Sequence, residues 1–146
     1  MKSTQKVTRV KLNIDQNNDY ILLGIVSSEV DYKLSLSLNK KFRISLKNIS
    51  PVRVIADNKA ELTFSRFSNN VTPADFMFCL ISNRSGKHYL LNKLKNIDYL
   101  FQIQNPDNEV NLNDITSNLK EIDTVTAVFN IDLNSIKDKN LQYLTQ

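Results

Sequence analysis

Apolar residues alternate with polar ones, or stand in short unbroken runs, along most of the chain. Alternation is typical of half-buried β-strands, and short apolar runs bounded by turn residues are typical of strands buried on both faces. Residues 7–14 alternate and predict a first strand, and the apolar run at 20–27 predicts a second. The turn-rich stretch between these two strands favours their antiparallel pairing. Further strands are predicted at 42–46 (before Pro51 interrupts the pattern), 62–67, 76–82, 88–91, 97–103 and 124–131.

Turn residues separate several of these segments. Residues 83–86 predict a turn, since Gly86 is free to adopt a positive φ, and residues 105–108 predict a loop.

Residues 29–41 carry two periodicities at once. Strict alternation over 30–38 favours a strand. A stripe at four-residue spacing favours a helix, and its members are Val30, Leu34, Leu38 and Phe42. Residues 28–31 have the form of a capping box, and the lysines at 40 and 41 suit a helix C-terminus. The periodicity alone leaves both structures open.

A second helix is predicted at 111–122, capped by Asn111 or Asn113, and a short C-terminal helix at 133–144. The chain has 146 residues, the usual size of one domain, and contains no internal repeat or linker. We therefore expect a single α+β domain, with a mostly antiparallel sheet, two main helices and a short C-terminal helix.

Composition points to the cytoplasm. The longest apolar run, at 20–26, is too short to span a bilayer, and the first eight residues carry no apolar segment typical of a secretory signal. The single cysteine, Cys79, cannot form an internal disulfide and lies in an apolar run, where a buried structural thiol is expected.

Residues 91–99, with the sequence LNKLKNIDY, resemble the naming motif of the IPExxxVDY family of small bacterial proteins found chiefly in the Bacteroidota. The aliphatic-Asp-Tyr ending is kept, whereas Leu-Asn-Lys stands where Ile-Pro-Glu is expected. Further similar strings lie, in the family's order, at 27–34, 38–40, 80–83 and 125–132. The resemblance implies a helix at 29–41 and draws attention to Asp31, Tyr32, Asp98 and Tyr99. It implies no activity, cofactor or catalytic residue.

The sequence carries no recognisable catalytic, cofactor-binding or metal-binding motif. His88 is the only histidine and has no second His or Cys at ligand spacing. The chain lacks the G-x-S-x-G pattern of a nucleophile turn, and its two glycines do not form a phosphate-binding loop. We therefore expect a protein without enzymatic activity.

The two Asp-Tyr pairs have structural explanations. An acid in the first turn of a helix stabilises the N-terminus, which accounts for Asp31. Asp98 lies in an apolar run, where an unpaired buried carboxylate is costly. We expect Asp98 to be held by backbone N–H groups or by a basic residue such as Lys33 or Lys95.

Positive charge is concentrated in the first part of the chain, where residues 1–56 hold ten Lys/Arg against four Asp/Glu. The basic residues that a polyanion would contact are Lys40, Lys41, Arg43, Lys47 and Arg53. A solvated charged face is the favoured interpretation of this set.

The leading hypothesis is a non-catalytic binding or scaffolding module, joined through an open sheet edge to another protein or to a second copy of itself. The alternative is a weak, sequence-tolerant RNA or DNA binder.

Overall fold

A computed structural model describes residues 20–69, 77–104 and 111–145 of the chain. The strand predicted at 7–14 and the loop predicted at 105–108 lie outside these residues. The described strands are β1 (Tyr20–Val26), β2 (Lys47–Ile55), β3 (Glu61–Ser68), β4 (Met77–Ser82), β5 (Arg84–Ser85), β6 (His88–Tyr89), β7 (Tyr99–Gln104) and β8 (Ala127–Asn130). The helices are α1 (Asp31–Phe42), α2 (Leu112–Lys120) and a 3-10 helix at Lys139–Thr145.

Six of the strands form one sheet in the order β2-β3-β4-β7-β1-β8. Every pair of neighbours in it is antiparallel. The other two strands, β5 and β6, form a separate short hairpin. As predicted, α2 returns the chain to the sheet, where β8 pairs with β1. The predicted α+β class, with two main helices and a short C-terminal one, is confirmed.

The sheet is covered on both faces. Both helices pack on one face, where Leu34 and Leu38 of α1 and Leu119 of α2 join the core side chains of β1, β4 and β7. The other face is covered by the segment between β6 and β7 and by the C-terminal residues, including Leu91, Ile97 and Leu144. Burial on both faces explains the largely apolar sequences of β1, β4 and β7, because most positions of these strands are buried and none is fully exposed.

The helical alternative is correct for residues 31–42. Leu34 and Leu38 are buried, whereas Leu36, which alternation would place on the same side, is 62% exposed. The predicted capping box is wrong: α1 begins at Asp31, and its N-cap, Val30, supplies no side-chain hydrogen bond. The Ser27 hydroxyl accepts from the Glu29 N–H and the Glu29 carboxylate accepts from the Val30 N–H, so these polar groups close the turn before the helix.

The strand predicted at 42–46 does not form, and the predicted interruption at Pro51 is wrong. Phe42 belongs to α1, and Leu46 precedes β2 because the Asn39 side chain binds its backbone, accepting from its N–H at 2.7 Å and donating to its carbonyl at 3.2 Å. Pro51 lies inside β2 rather than ending the strand. The register shifts between Ile49 and Val52, and a bulge on an edge strand tolerates a residue without an N–H.

The turn predicted at 83–86 lies at 86–87, three residues later than expected. Arg84 and Ser85 pair with Tyr89 and His88, and Gly86, with φ of 61°, opens the tight connection between them. The strand predicted at 88–91 ends at Tyr89, because the backbones of Leu90 and Leu91 turn inward to bind Asn83.

Candidate functional site

Asp98 precedes β7 and is held at both carboxylate oxygens. Oδ2 accepts from the backbone N–H of Ser27 at 2.9 Å, which fixes the connection between β1 and α1. Oδ1 accepts from Nη1 of Arg84 at 2.8 Å. The side chain is 18% exposed. The predicted anchoring of Asp98 is therefore confirmed, but its basic partner is Arg84 rather than Lys33 or Lys95.

Arg84 lies on the β5–β6 hairpin and is held from two sides. Besides its bond to Asp98, its guanidinium carbon lies 5.7 Å from the centre of the Tyr89 ring, its cross-strand neighbour. The hydrogen bond to Asp98 raises the pKa of Arg84 above its ordinary value, and the side chain stays 53% exposed. A fixed guanidinium therefore faces solvent at this end of the sheet.

Tyr99 is the first residue of β7 and is buried. Its hydroxyl donates to the backbone carbonyl of Glu29, just before α1. Burial raises the pKa of Tyr99 to about 12, and the negative charges of Asp31, Asp98 and Glu29 act in the same direction. Tyr99 thus joins the start of β7 to the start of α1.

The structure brings together three of the four residues that the family resemblance singles out. Asp98 and Tyr99 bind the segment that leads into α1, and Asp31, the first residue of that helix, is close enough to act electrostatically on Tyr99. Tyr32 is separate, because its side chain is 54% exposed on the outer side of α1.

A groove of about 370 Å³ opens beside this cluster. Asp31 and Arg84 contribute the charged part of its lining, and Ser82 lies next to Arg84. Along β3, Thr63 and Ser65 form part of the lining on the face that Phe67 shares with the helices, because side chains two residues apart point the same way. The opposite wall is the edge strand, with Asn48, Ile49 and Pro51.

One polar group of the groove is unusual. The Ser65 hydroxyl is buried and has no hydrogen-bond partner in the described part of the chain. A buried hydroxyl normally has a partner, because leaving it unpaired costs about 1–3 kcal/mol. We define the binding groove as the space lined by Asp31, Asn48, Ile49, Pro51, Thr63, Ser65, Ser82 and Arg84.

The lining of the binding groove carries charged and hydrogen-bonding groups. It offers a guanidinium with N–H donors beyond the one that Asp98 uses, a carboxylate at the start of a helix, and several hydroxyls. Neither histidine nor cysteine contributes to its lining. Such groups can hold a polar ligand by charge-assisted hydrogen bonds.

Two of the five basic residues predicted as polyanion contacts are paired with acidic side chains. Lys41 pairs with Glu121, the residue that follows α2, and Arg53 lies 3.4 Å from Glu61 across the β2–β3 pair. Lys40, Arg43 and Lys47 form no ion pair with any described residue. These three lie within eight positions of one another, where α1 ends and β2 begins.

Other residues singled out from the sequence lie elsewhere. Cys79 is buried, as predicted, and burial raises the pKa of its thiol to about 11. Phe42 packs in the core, with its ring centre 6.3 Å from that of Phe78. His88 lines a different cavity on the other side of the β5–β6 hairpin, together with Tyr89 and Tyr143. Within 20–69, 77–104 and 111–145, no three His, Cys, Asp or Glu side chains are placed to hold a metal ion.

Sequence reasoning missed Arg84, Ser65 and Asn83. Arg84 and Asn83 stand in the string Asn-Arg-Ser-Gly, which is typical of a surface turn, and nothing local indicates that both bind distant backbone or carboxylate groups. The one available signal was the need of Asp98 for a cationic partner, which does not specify which of the basic residues supplies it.

Substituting Asp98 by Asn should lower the free energy of unfolding by about 1–2 kcal/mol, because an amide of the same shape keeps one acceptor but loses the charge-assisted bond. Asp57→Asn, in the exposed β2–β3 turn, is the matched control and should leave stability unchanged. Urea denaturation of the three proteins measures the difference. Equal stability of Asp98→Asn and wild type would show that the Asp98 carboxylate is not held as described.

The raised pKa of Tyr99 makes stability fall at alkaline pH. The unfolded chain releases the tyrosine proton near pH 10, whereas the folded chain retains it until about pH 12. Proton release therefore favours unfolding between these values, and the free energy of unfolding should fall as the pH rises through this window. The slope should be shallower in Tyr99→Phe than in wild type when denaturation is repeated at several pH values. Parallel curves would contradict the assignment.

The described residues form three helices, and none of these is long and apolar enough to cross a membrane.

No family model, curated protein or solved structure matches the chain. Membership of the IPExxxVDY family therefore stays a prediction from the sequence.

Proposed function

We propose that the chain is a non-catalytic binding module of the cytoplasm and that its ligand occupies the binding groove. Arg84 carries the proposal. Its guanidinium is fixed by Asp98 and Tyr89, yet it is half exposed and faces a concave space. Holding a long cationic side chain in one orientation costs conformational entropy, which is offset where that orientation is used for binding.

The unpaired Ser65 hydroxyl supports the same assignment. It lies in the lining of the groove, two residues along β3 from Thr63, which lines the same space. Small-molecule sites are concave and contain a few polar groups that fix the orientation of the ligand. The volume of about 370 Å³ lies within the range of such sites.

At the β2 edge of the sheet, contact through the groove is favoured over simple addition of a partner strand. β2 is an edge strand, as the sequence-based hypothesis of a protein partner or second copy requires. However, Pro51 and the bulge around it interrupt its hydrogen-bonding edge, and Lys47 and Arg53 add charge. These features discourage edge-to-edge pairing. A partner protein would therefore use β2 as a wall of the groove rather than as a template for another strand.

Filling the groove tests the proposal. Thr63 is exposed and lines the groove, so Thr63→Phe should block it while keeping a residue that suits a strand. Thr126→Phe places the same substitution at an exposed position just before β8. Two-dimensional amide NMR with a library of amino acids, short peptides, nucleotides, sugars and carboxylic acids should show ligand-induced shifts at Ser82 and Arg84 in wild type and Thr126→Phe, but not in Thr63→Phe. Absence of such shifts in wild type for every class, or equal binding by Thr63→Phe, would contradict the proposal.

A second candidate function, weak binding of RNA or DNA, has one observation in its favour. Lys40, Arg43 and Lys47 are exposed and unpaired with respect to the described residues, and they lie close together in the chain. Exposed cations of this kind contact phosphates without reading sequence. The pairing of Lys41 and Arg53 with acids reduces the charge that the surface can offer.

Salt dependence measures this second function. With three available cations, the logarithm of the binding constant for a polyanion should fall with the logarithm of the salt concentration with a slope of about −3. The protein should therefore elute from heparin before the salt reaches roughly 200 mM. Replacing Lys40, Arg43 and Lys47 together by Gln should abolish retention, whereas replacing Lys93 and Lys95 together by Gln should not. If the wild-type chain fails to bind heparin at low salt, the nucleic-acid hypothesis is wrong.

A further inference from the structure

We propose that the ligand of the binding groove is a small zwitterion, carrying one carboxylate and one ammonium group, of the size of an amino acid or a dipeptide. This inference rests on the proposed function and specifies the class of its ligand. It follows from the two opposite charges that line one groove, from the hydrogen bond that each of them already makes, and from the polar residues that share the lining.

The Arg84 end suits a carboxylate. Nη1 donates to Asp98, and the remaining N–H groups of the guanidinium form no other hydrogen bond with a described residue. The planar guanidinium matches the two oxygens of a carboxylate, and a charge-assisted bond of this kind is stronger than a neutral one. Because Asp98 and Tyr89 hold the side chain in place, little entropy is lost when a ligand binds.

The Asp31 end suits an ammonium group. Oδ1 of Asp31 accepts from the N–H of Tyr32 at 2.7 Å, which orients the carboxylate within the first turn of α1. No Lys, Arg or His of the described residues forms an ion pair with Asp31. A carboxylate that is oriented but lacks a cationic partner can bind an ammonium group of a ligand.

The charges discriminate against simpler ligands. Asp31, Asp98 and Arg84 place two carboxylates against one guanidinium around the groove. A plain anion at Arg84 would be repelled by Asp31, and a plain cation at Asp31 would be repelled by Arg84. A zwitterion places each of its charges opposite its complement. The hydroxyl of Thr63 lines the same space and can bind a polar group of the ligand. The Ser82 hydroxyl already donates to the backbone carbonyl of Arg84 at 2.8 Å.

The probes are L-alanyl-L-alanine, its N-acetyl derivative and its C-terminal amide, titrated into the full chain with amide NMR at Ser82 and Arg84. The free dipeptide should bind, and each blocked form should bind at least about tenfold more weakly, since loss of one charge-assisted contact corresponds to a factor of this order. Asp31→Asn should weaken the dipeptide but leave the N-acetyl form unchanged. Arg84→Lys, which keeps a cation beside Asp98, should weaken the dipeptide but leave the amide unchanged.

The outcomes separate this inference from the proposed function. Equal binding of the free and N-acetyl dipeptides would show a simple carboxylate site and overturn the zwitterion. If no free amino acid or dipeptide shifts Ser82 and Arg84 while another class of the library does, the zwitterion is wrong and the binding module stands. If no class shifts them, both proposals are wrong. Thermal denaturation of each variant confirms that it is folded before its affinity is compared.

Discussion

The hydrogen bonds of one buried asparagine position the rest of this fold. Asn83 is fully buried at the end of β4. Its side-chain amide donates to the carbonyls of Leu94 and Ile97, and its side-chain oxygen accepts from the N–H of Leu91. Its backbone binds Leu90 and Asp98. A segment without regular structure must place its backbone polar groups somewhere, and inside a core a side chain that satisfies several of them stabilises the whole segment. Asn83 thereby closes one face of the sheet.

The binding groove follows from this arrangement. Asn83 donates its backbone N–H to the carbonyl of Asp98 and directly precedes Arg84, so it brings the two partners of the ion pair together. Asp98 then holds Ser27, and Tyr99 holds Glu29, which sets the position at which α1 begins. Asp31 reaches the groove because the helix begins there. Each step is a contact between segments far apart in the chain, so the geometry of the groove depends on the completed fold.

This dependence explains what the sequence could predict. The buried strands and the Asn111 cap are local signals, and the structure confirms them because packing reinforces local preference. The stripe of Leu34 and Leu38 left helix and strand open, and packing against the sheet decides for the helix. The requirement that Asp98 be paired was also predictable, since desolvation of a carboxylate is a general cost. Its partner was not, because a turn-like string gives no sign of a contact across the sheet. Pro51 was misinterpreted for a related reason: only the strand order shows that it lies at an edge, where a bulge tolerates it.

The two residues of the ion pair differ in what they contribute. Asp98 is mostly buried and binds the Ser27 backbone as well as Arg84, so its carboxylate stabilises the fold independently of the pair. Arg84 is half exposed, and an ion pair in contact with water adds little to stability because solvent screens it. The effect of the pair on Arg84 is mainly one of orientation: it holds a solvent-facing cation at one place beside the groove. Orientation without much stabilisation is what a recognition residue requires, since the guanidinium stays available while the fold relies on the buried partners behind it.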